Sequence, residues 1–531
     1  MRYFTLLFCF LLISFVSAQY SNLPQSPVSV GTGAIVGEQT GTSVAFVGDT
    51  NGDGFSEYVS GAIGVAPGHV YLFDGASGAI LNTFTGAVQS FGFSVAGLGD
   101  LNGNGIPDFA VGSEPLAGGV YVYETNGNLL LTIAPPPQNT GFFGWDIANA
   151  GDLTGDGVND ILITSAVLGA GTTYIYNGAT GVLINSLPQG YSVSGFVDLT
   201  ADGIPEFIVG SPYSATLPFP PGGAFGRAFI YNGATFASLV TLVAGTGAIN
   251  DLFGVDVVNA GDYNGDGVND IIVGAPGLGG PQPTYPLFPG HAYVYSGSNF
   301  AQLTQFSGNL IGDYFGNSVS GGDFNKDGFG DVLVGVNTFP NYNYVGKVDI
   351  FLGPSGNNVY TWNGASQVNN FGLFLSVSDF NGDGFSDFVS DRTGPLTTPG
   401  SAVVHTLGGV WKYGGGPLNF AWTSTPGVAG TGSVTVSGGM PNAPLYLIWS
   451  TTSASIPISL NNVLYVNPNS PQFGVLYLGN LDAQGGTTLS GLNIIAPALA
   501  GTNVYFQVGT YSGGGLQNVQ LSNGLQMIYL P

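Results

Sequence analysis

The sequence predicts an all-β chain, a seven-bladed β-propeller followed by a small C-terminal β-sandwich. Three observations carry this reading. A unit of about 50 residues recurs seven times between residues 27 and 410, and such a period marks a repeat architecture. Each unit holds about four short runs of alternating or continuous apolar residues, broken by Gly, Asn, Asp and Pro turns. No stretch of useful length has the period of an amphipathic helix. Four strands per unit make one blade, and units of this length suit radial blades better than the single rungs of a solenoid.

At the N-terminus, Arg2 precedes the apolar run FTLLFCFLLISFV, and Val16, Ser17 and Ala18 supply the small residues of a cleavage site. Residues 1–18 are therefore expected to be a signal peptide. The run of about 13 apolar residues is short for a bilayer span, and no later stretch is long enough. Export is the consequence, with a secreted, extracellular or cell-surface location and no membrane span after signal removal. The only cysteine, Cys9, falls in the removed segment, so neither disulfide nor thiol chemistry is expected. The fold needs another kind of brace.

The propeller is expected over residues 19–411. The clearest copy of the repeat is FGFSVAGLGDLNGNGIPDFAVG, residues 91–112, followed by GGVYVYETNG at 118–127. The other copies centre on DTNGDGFSE, DLTGDGVND, DLTADGIPE, DYNGDGVND, DFNKDGFGD and DFNGDGFSD, and their first aspartates stand 46 to 64 residues apart. A Phe-Gly pair opens five copies, at Phe91, Phe143, Phe253, Phe315 and Phe371. Thr40-Gly41 and Gln189-Gly190 stand there in the first and fourth. VGAP at 273–276 and VGSP at 209–212 close two of the units. These features resemble the FG-GAP repeats of integrin α-subunit propellers. After the seventh copy, SAVVHTLGG at 401–409 matches a third strand, but no further outer strand follows. The unused N-terminal run beginning at residue 27 is expected to pair with residues 402–406 and close the ring, since an open edge would invite association.

The acid-rich loops carry the chemistry. In DxNxDGxxD the side chains at positions 1, 3, 5 and 9 and the carbonyl at 7 can converge on one hard cation, with the Gly at 6 permitting the sharp turn. The candidate ligands are Asp49, Asn51, Asp53, Phe55 and Glu57 in the first loop, and Asp100, Asn102, Asn104, Ile106 and Asp108 in the second. The third has Asp152, Thr154, Asp156, Val158 and Asp160, and the fourth Asp198, Thr200, Asp202, Ile204 and Glu206. The fifth offers Asp262, Asn264, Asp266, Val268 and Asp270, and the sixth Asp323, Asn325, Asp327, Phe329 and Asp331. In the seventh they are Asp379, Asn381, Asp383, Phe385 and Asp387. Oxygen ligands without His or Cys favour Ca²⁺ over Zn²⁺, and so many protein ligands favour it over Mg²⁺. Up to seven structural calcium ions are expected. The second loop, with Asn104 in place of a carboxylate, is expected to bind most weakly.

Asp and Glu number 31 against 6 Lys and Arg, a balance that excludes nucleic-acid and anionic-membrane binding. The loops hold 20 of these acids, so most of the acidity is ligand charge. Catalysis needs titratable groups outside such sites. His69 and His291 share one repeat position with Arg227 and Lys347, and His405 falls on another third strand. That pattern belongs to blade architecture, so no enzyme is expected. A Gly-rich linker is expected at 412–416 and the sandwich at 417–531, where Asp482 is the one charged residue. Two roles remain. One is an extracellular interaction or adhesion module with a protein ligand; the other is a glycan-binding, lectin-like propeller or the non-catalytic part of a carbohydrate-active system.

Overall fold

The computed structural model describes residues 29–406 apart from the connections at 88–89, 115–117, 140, 167–170, 213–225, 245–250, 278–288, 312, 337–345, 365–370, 383 and 393–398, and beyond them the strands between 419 and 529. The proposed signal peptide, the linker at 412–416 and Asp383 lie outside the described residues. The chain falls into two compact units, Pro24–Thr406 and one that contains Leu407–Pro531.

The first unit is a propeller of seven four-stranded antiparallel sheets. Blade 1 runs Thr40–Gly48, Glu57–Ala62, His69–Phe73, Ile80–Thr85, and blade 2 Ser90–Gly99, Asp108–Glu114, Val120–Glu124, Leu129–Ile133. Blades 3 to 6 repeat this order from Phe142, Ser192, Val257 and Phe315. Blade 7 takes three strands from Leu375–Ser378, Asp387–Arg392 and Ser401–His405, and its fourth from the other end of the unit, Ser29–Thr32. In that pairing Ser29 faces Val404 and Thr32 faces Ser401. No α-helix occurs among the described residues.

Position within the blade explains the apolar pattern. Second strands such as DILITSA (Asp160–Ala166) and DIIVGA (Asp270–Ala275) are buried along their whole length, because a neighbouring blade covers each face, and they read as continuous apolar runs. Fourth strands such as Leu183–Leu187 lie at the outer edge and are mostly open, with Leu183 and Ser186 exposed and only Leu187 buried. The cores lie between blades: Ala110, Val122, Ile161 and Ile163 join the second to the third, and Tyr58, Phe73, Val389 and Val404 join the first to the seventh. Trp362 of blade 6 meets Phe388 of blade 7 edge-on at 5.0 Å.

Packing also accounts for the two halves of the repeat signature. The Phe of each Phe-Gly pair is buried in the core. The Gly that follows has a positive φ, +88° at Gly254 and +85° at Gly316. Its carbonyl lies against the glycine of the preceding blade's second strand: a Cβ on Gly210 would stand 2.2 Å from Gly254 O, and one on Gly274 2.2 Å from Gly316 O. Any side chain there would force the blades apart.

In the second unit, Asn419–Ser424, Thr431–Ser437 and Thr487–Asn493 form one sheet. Phe473–Asn480, Pro444–Ser450, Asn503–Tyr511 and Val519–Leu521 form another, joined by Gln526–Tyr529, and Ser453–Ser459 pairs with Asn462–Val466. The unit is thus all-β. Whether its sheets stack as a sandwich is a question of side-chain packing, which lies outside the described residues.

Candidate metal loops and an aromatic strip

Each DxNxDGxxD segment is the turn between the first and second strands of its blade, so the antiparallel topology places all seven at one end of the ring. The position-1 aspartate organises the turn by accepting backbone N–H groups. Asp49 accepts from Gly52 at 2.7 Å and Gly54 at 2.9 Å, and Asp262 from Gly265 at 2.7 Å and Gly267 at 2.8 Å. The position-6 glycines all have φ between +83° and +89°. A Cβ would meet nothing within 4 Å at Gly54 or Gly267, so the left-handed backbone, not crowding, demands glycine. Ala201 and Lys326 also take left-handed φ, each two residues before one of these glycines.

Position 5 accepts the N–H of position 7 through one oxygen, as Asp53 does from Phe55 at 2.8 Å and Asp266 from Val268 at 3.0 Å, which leaves its other oxygen for the middle of the loop. Position-7 side chains turn toward the preceding blade, and the Phe55 ring lies 5.5 Å from that of Phe380. Position 9 forms the floor. Glu57, Asp108, Asp160, Glu206, Asp270, Asp331 and Asp387 are all 0 % exposed. Each carboxylate accepts N–H groups from position 2 or 3: Leu101 N at 2.9 Å on Asp108, Phe324 N at 2.9 Å on Asp331, Leu199 N on Glu206. Burial raises the pKa of Asp108 and Asp270 to about 6 and that of Asp331 to about 8. Hydrogen bonds hold Asp100, Asp156, Asp202 and Asp266 below the usual carboxylate range.

In the first and fourth loops the three acids Asp49, Asp53, Glu57 and Asp198, Asp202, Glu206 bring oxygens within 4.8 Å of one another. Both loops have Glu at position 9, whose extra methylene reaches the loop centre while still capping the backbone. The donor set fits a hard cation: every candidate side chain offers oxygen, and Asp108 Oδ1 is buried with no hydrogen-bond partner.

One contributor lies outside the motif. The residue just past the third strand's Phe or Tyr leans over the loop of its own blade. Asp74 Oδ2 accepts from Asn51 Nδ2 at 3.0 Å, and Asn177 Nδ2 donates to Asp156 Oδ2 at 2.7 Å. Asn232 donates to Asp202 and Glu206 at 3.3 and 3.1 Å. The glycine that follows donates to the position-9 carboxylate in four blades, among them Gly178 to Asp160 at 3.1 Å and Gly353 to Asp331 at 2.9 Å. The sequence does carry a trace of this: YNGAT occurs twice, at 176–180 and 231–235, with FDGAS at 73–77.

The titratable groups singled out elsewhere serve the blades. His69, Arg227, His291 and Lys347 each pair with the last residue of a second strand. His69 Nδ1 meets Thr85 Oγ1 at 3.1 Å, and Lys347 bonds Asp349 at 2.6 Å. Buried His405 stacks on Phe388 at 5.0 Å, and burial lowers its pKa to about 3.

At the opposite end of the ring, where first strands begin, three partly exposed aromatic side chains cross successive blades. Phe93 lies 5.0 Å from Trp145, and Trp145 lies 5.2 Å from Tyr191.

Comparison with known proteins agrees with this geometry. The FG-GAP repeat family matches residues 253–295 and 315–351, and the FG-GAP-like repeat family matches 100–163. Integrin alpha-V of Gallus gallus is 31% identical over 217 residues, 32% of this chain and 20% of its own length. Integrin alpha-7 of Homo sapiens is 34% identical over 147 residues, 23% of this chain and 12% of its own. Integrin alpha-5 of Xenopus laevis is 32% identical over 211 residues, covering 32% and 20%. The chain therefore spans a fifth or less of these relatives. Repeat matches, Phe-Gly packing and seven closed blades lead to one conclusion: the ring is built of FG-GAP repeats and is an integrin α-like propeller.

Proposed function

We propose that the chain is a secreted calcium-binding propeller that acts as an extracellular interaction or adhesion module. The observation that carries the calcium reading is the floor of the loops, where seven fully buried acids lie beneath half-buried or exposed aspartates at position 1 and, in the first and the third to sixth loops, exposed aspartates at position 5. Protein cations are too few to balance them, with 6 Lys and Arg in the whole sequence. Side chains at positions 1, 3, 5 and 9 would hold the ion in each loop, including Asp379, Asn381, Asp383 and Asp387 in the seventh. Bound Ca²⁺ would neutralise carboxylates that otherwise repel or take up protons. Seven ions would bring the formal charge from −25 to about −11. In a chain whose only cysteine is Cys9, the ions would replace disulfides as cross-links.

Export is supported by the N-terminal apolar segment and by the extracellular character of the resemblance. No helix among the described residues is long and apolar enough to cross a membrane. The Phe93–Trp145–Tyr191 strip offers a ligand surface away from the ions. Flat, partly exposed rings suit either a hydrophobic protein edge or the face of a sugar, which keeps the glycan-binding reading as the second one.

Thermal melting in calcium and in excess EGTA, with elemental analysis, tests the first part. Calcium should copurify and chelation should lower Tm, because an ion bound only by the native loops raises its stability. Equal Tm values without bound calcium would refute the assignment. Arrays of glycans and of extracellular proteins, probed with wild type and Trp145→Ala, test the second. Binding that Trp145→Ala leaves intact would move the ligand site off the strip.

A further inference from the structure

We infer that Glu124 is a metal ligand of the second loop, supplied from the end of the third strand rather than from the loop motif. The inference rests on the calcium reading of the loops. By sequence this loop is deficient, with Asp100 and Asp108 as its carboxylates and Asn104 at position 5. The structure brings a third acid to it. Glu124 Oε1 accepts from Asn102 Nδ2 at 2.6 Å and from Asn104 Nδ2 at 2.7 Å, while Oε2 accepts from Asn128 at 2.5 Å. Its carboxylate thus touches the side chains of positions 3 and 5, two of the four positions whose side chains converge on a cation in such a loop.

A second observation points to the same spot. Asp108 Oδ1 is buried and has no hydrogen-bond partner, whereas the equivalent acids in four other blades accept the N–H of a glycine. Blade 2 has Thr125 at that glycine's place. A buried carboxylate oxygen without a partner is costly, and with no donor in reach a cation is the partner that fits.

The distribution of charge along the blades agrees. Blades 3, 4, 5 and 6 have an acid at position 5 and a neutral residue, Asn177, Asn232, Ser296 or Leu352, in the place of Glu124. In blade 2 the neutral residue is at position 5 and the acid at the third strand. Blade 1 has acids at both places, Asp53 and Asp74, and so carries four carboxylates. Glu124 restores the second loop to three, and the loop ceases to be the weak one that its own nine residues imply.

The test counts calcium per full-length chain by equilibrium dialysis across a range of free calcium, for wild type, Asp100→Asn, Glu124→Gln and Glu124→Gln with Asn104→Asp. Asp100→Asn marks the second loop by the loss of one site. Glu124→Gln keeps the shape and an acceptor oxygen. It should weaken one site by about tenfold or more, the same site that Asp100→Asn removes, and Asn104→Asp should restore it. If Glu124→Gln binds as wild type while Asp100→Asn loses a site, Glu124 is no ligand and the loop reading stands. If neither variant loses a site, the second loop holds no ion and the inference is overturned. Wild type that binds no calcium overturns the loop reading as well.

Discussion

Removing the strand that closes the ring should cost far more than trimming a free terminus. Ser29–Thr32 covers the edge of blade 7 through four consecutive pairs with residues 401–404. Its loss gives up about four backbone hydrogen bonds, each worth about 1 kcal/mol net. It also strips the Ser29 hydroxyl, 3.1 Å away, from the buried Tyr58 OH, for about 1–2 kcal/mol. Gly31 packs so closely on the Phe73 ring that a Cβ would lie 2.5 Å from it, and uncovering that face adds about 1 kcal/mol. The sum is roughly 6–7 kcal/mol, a large share of the stability of most domains. With an unfolding entropy of about 2.1 cal/mol/K per residue over the unit Pro24–Thr406, the midpoint should fall by roughly 7–9 °C. The assay is calorimetry at saturating calcium on two truncations, one beginning at Pro27 and one at Ala34. Midpoints within about 1 °C of each other would refute the reasoning. In the truncation beginning at Pro27, a Ser29→Cys, Val404→Cys pair should cross-link under oxidation, because the two residues face each other.

Two further outcomes follow from packing and charge. Gly274→Ala should lower stability by about 1–3 kcal/mol, because its Cβ would stand 2.2 Å from Gly316 O; an unchanged urea midpoint would remove the role given to that contact. Asp391 is buried with Oδ2 unpartnered, and burial raises its pKa to about 7. A carboxyl whose folded pKa lies above its unfolded value binds more protons when folded, so stability should fall as pH rises from about 4 to about 7. The upper limit is on the order of 4 kcal/mol for this group, and Asp391→Asn should flatten the slope. Parallel Tm-against-pH curves for the two proteins at saturating calcium would contradict this.

Much of the architecture was legible because it is local or periodic. The position-6 glycines announce a left-handed turn whatever surrounds them, and the fully buried second strands announce themselves as unbroken apolar runs such as DIIV. The strand count per unit follows from the spacing of such runs. What the sequence hid depends on register between distant strands. Asp74 and Glu124 stand 17 and 16 residues beyond Glu57 and Asp108, and they reach their loops because Tyr58 pairs with Phe73 and Phe109 with Tyr123. A motif confined to nine residues cannot include them. Nor can it tell that position 9 is the floor of the loop, since an acid looks the same in sequence at 0 % exposure as on a surface.

That floor links the two ends of each blade. Asp270 opens the second strand of blade 5, and its carboxylate holds Asn264 N at 3.1 Å and Gly297 N at 3.0 Å, so one group fastens the loop, the strand and the outer hairpin together. Four residues along the same strand, Gly274 abuts the carbonyl of Gly316, the start of the next blade. Blade 2 has the same order: Asp108 begins the strand, Gly112 meets Gly144 O, and Trp145 of the aromatic strip is the next residue. A short, fully paired strand has few ways to deform, and interiors packed this closely transmit displacement rather than absorb it. The acid that anchors one end of the strand therefore helps to fix the blade contact at the other. The acid-rich loops and the aromatic strip lie at opposite ends of the ring, yet second strands of this kind link the two, so a brace for the loops would also bear on the surface proposed to meet a ligand.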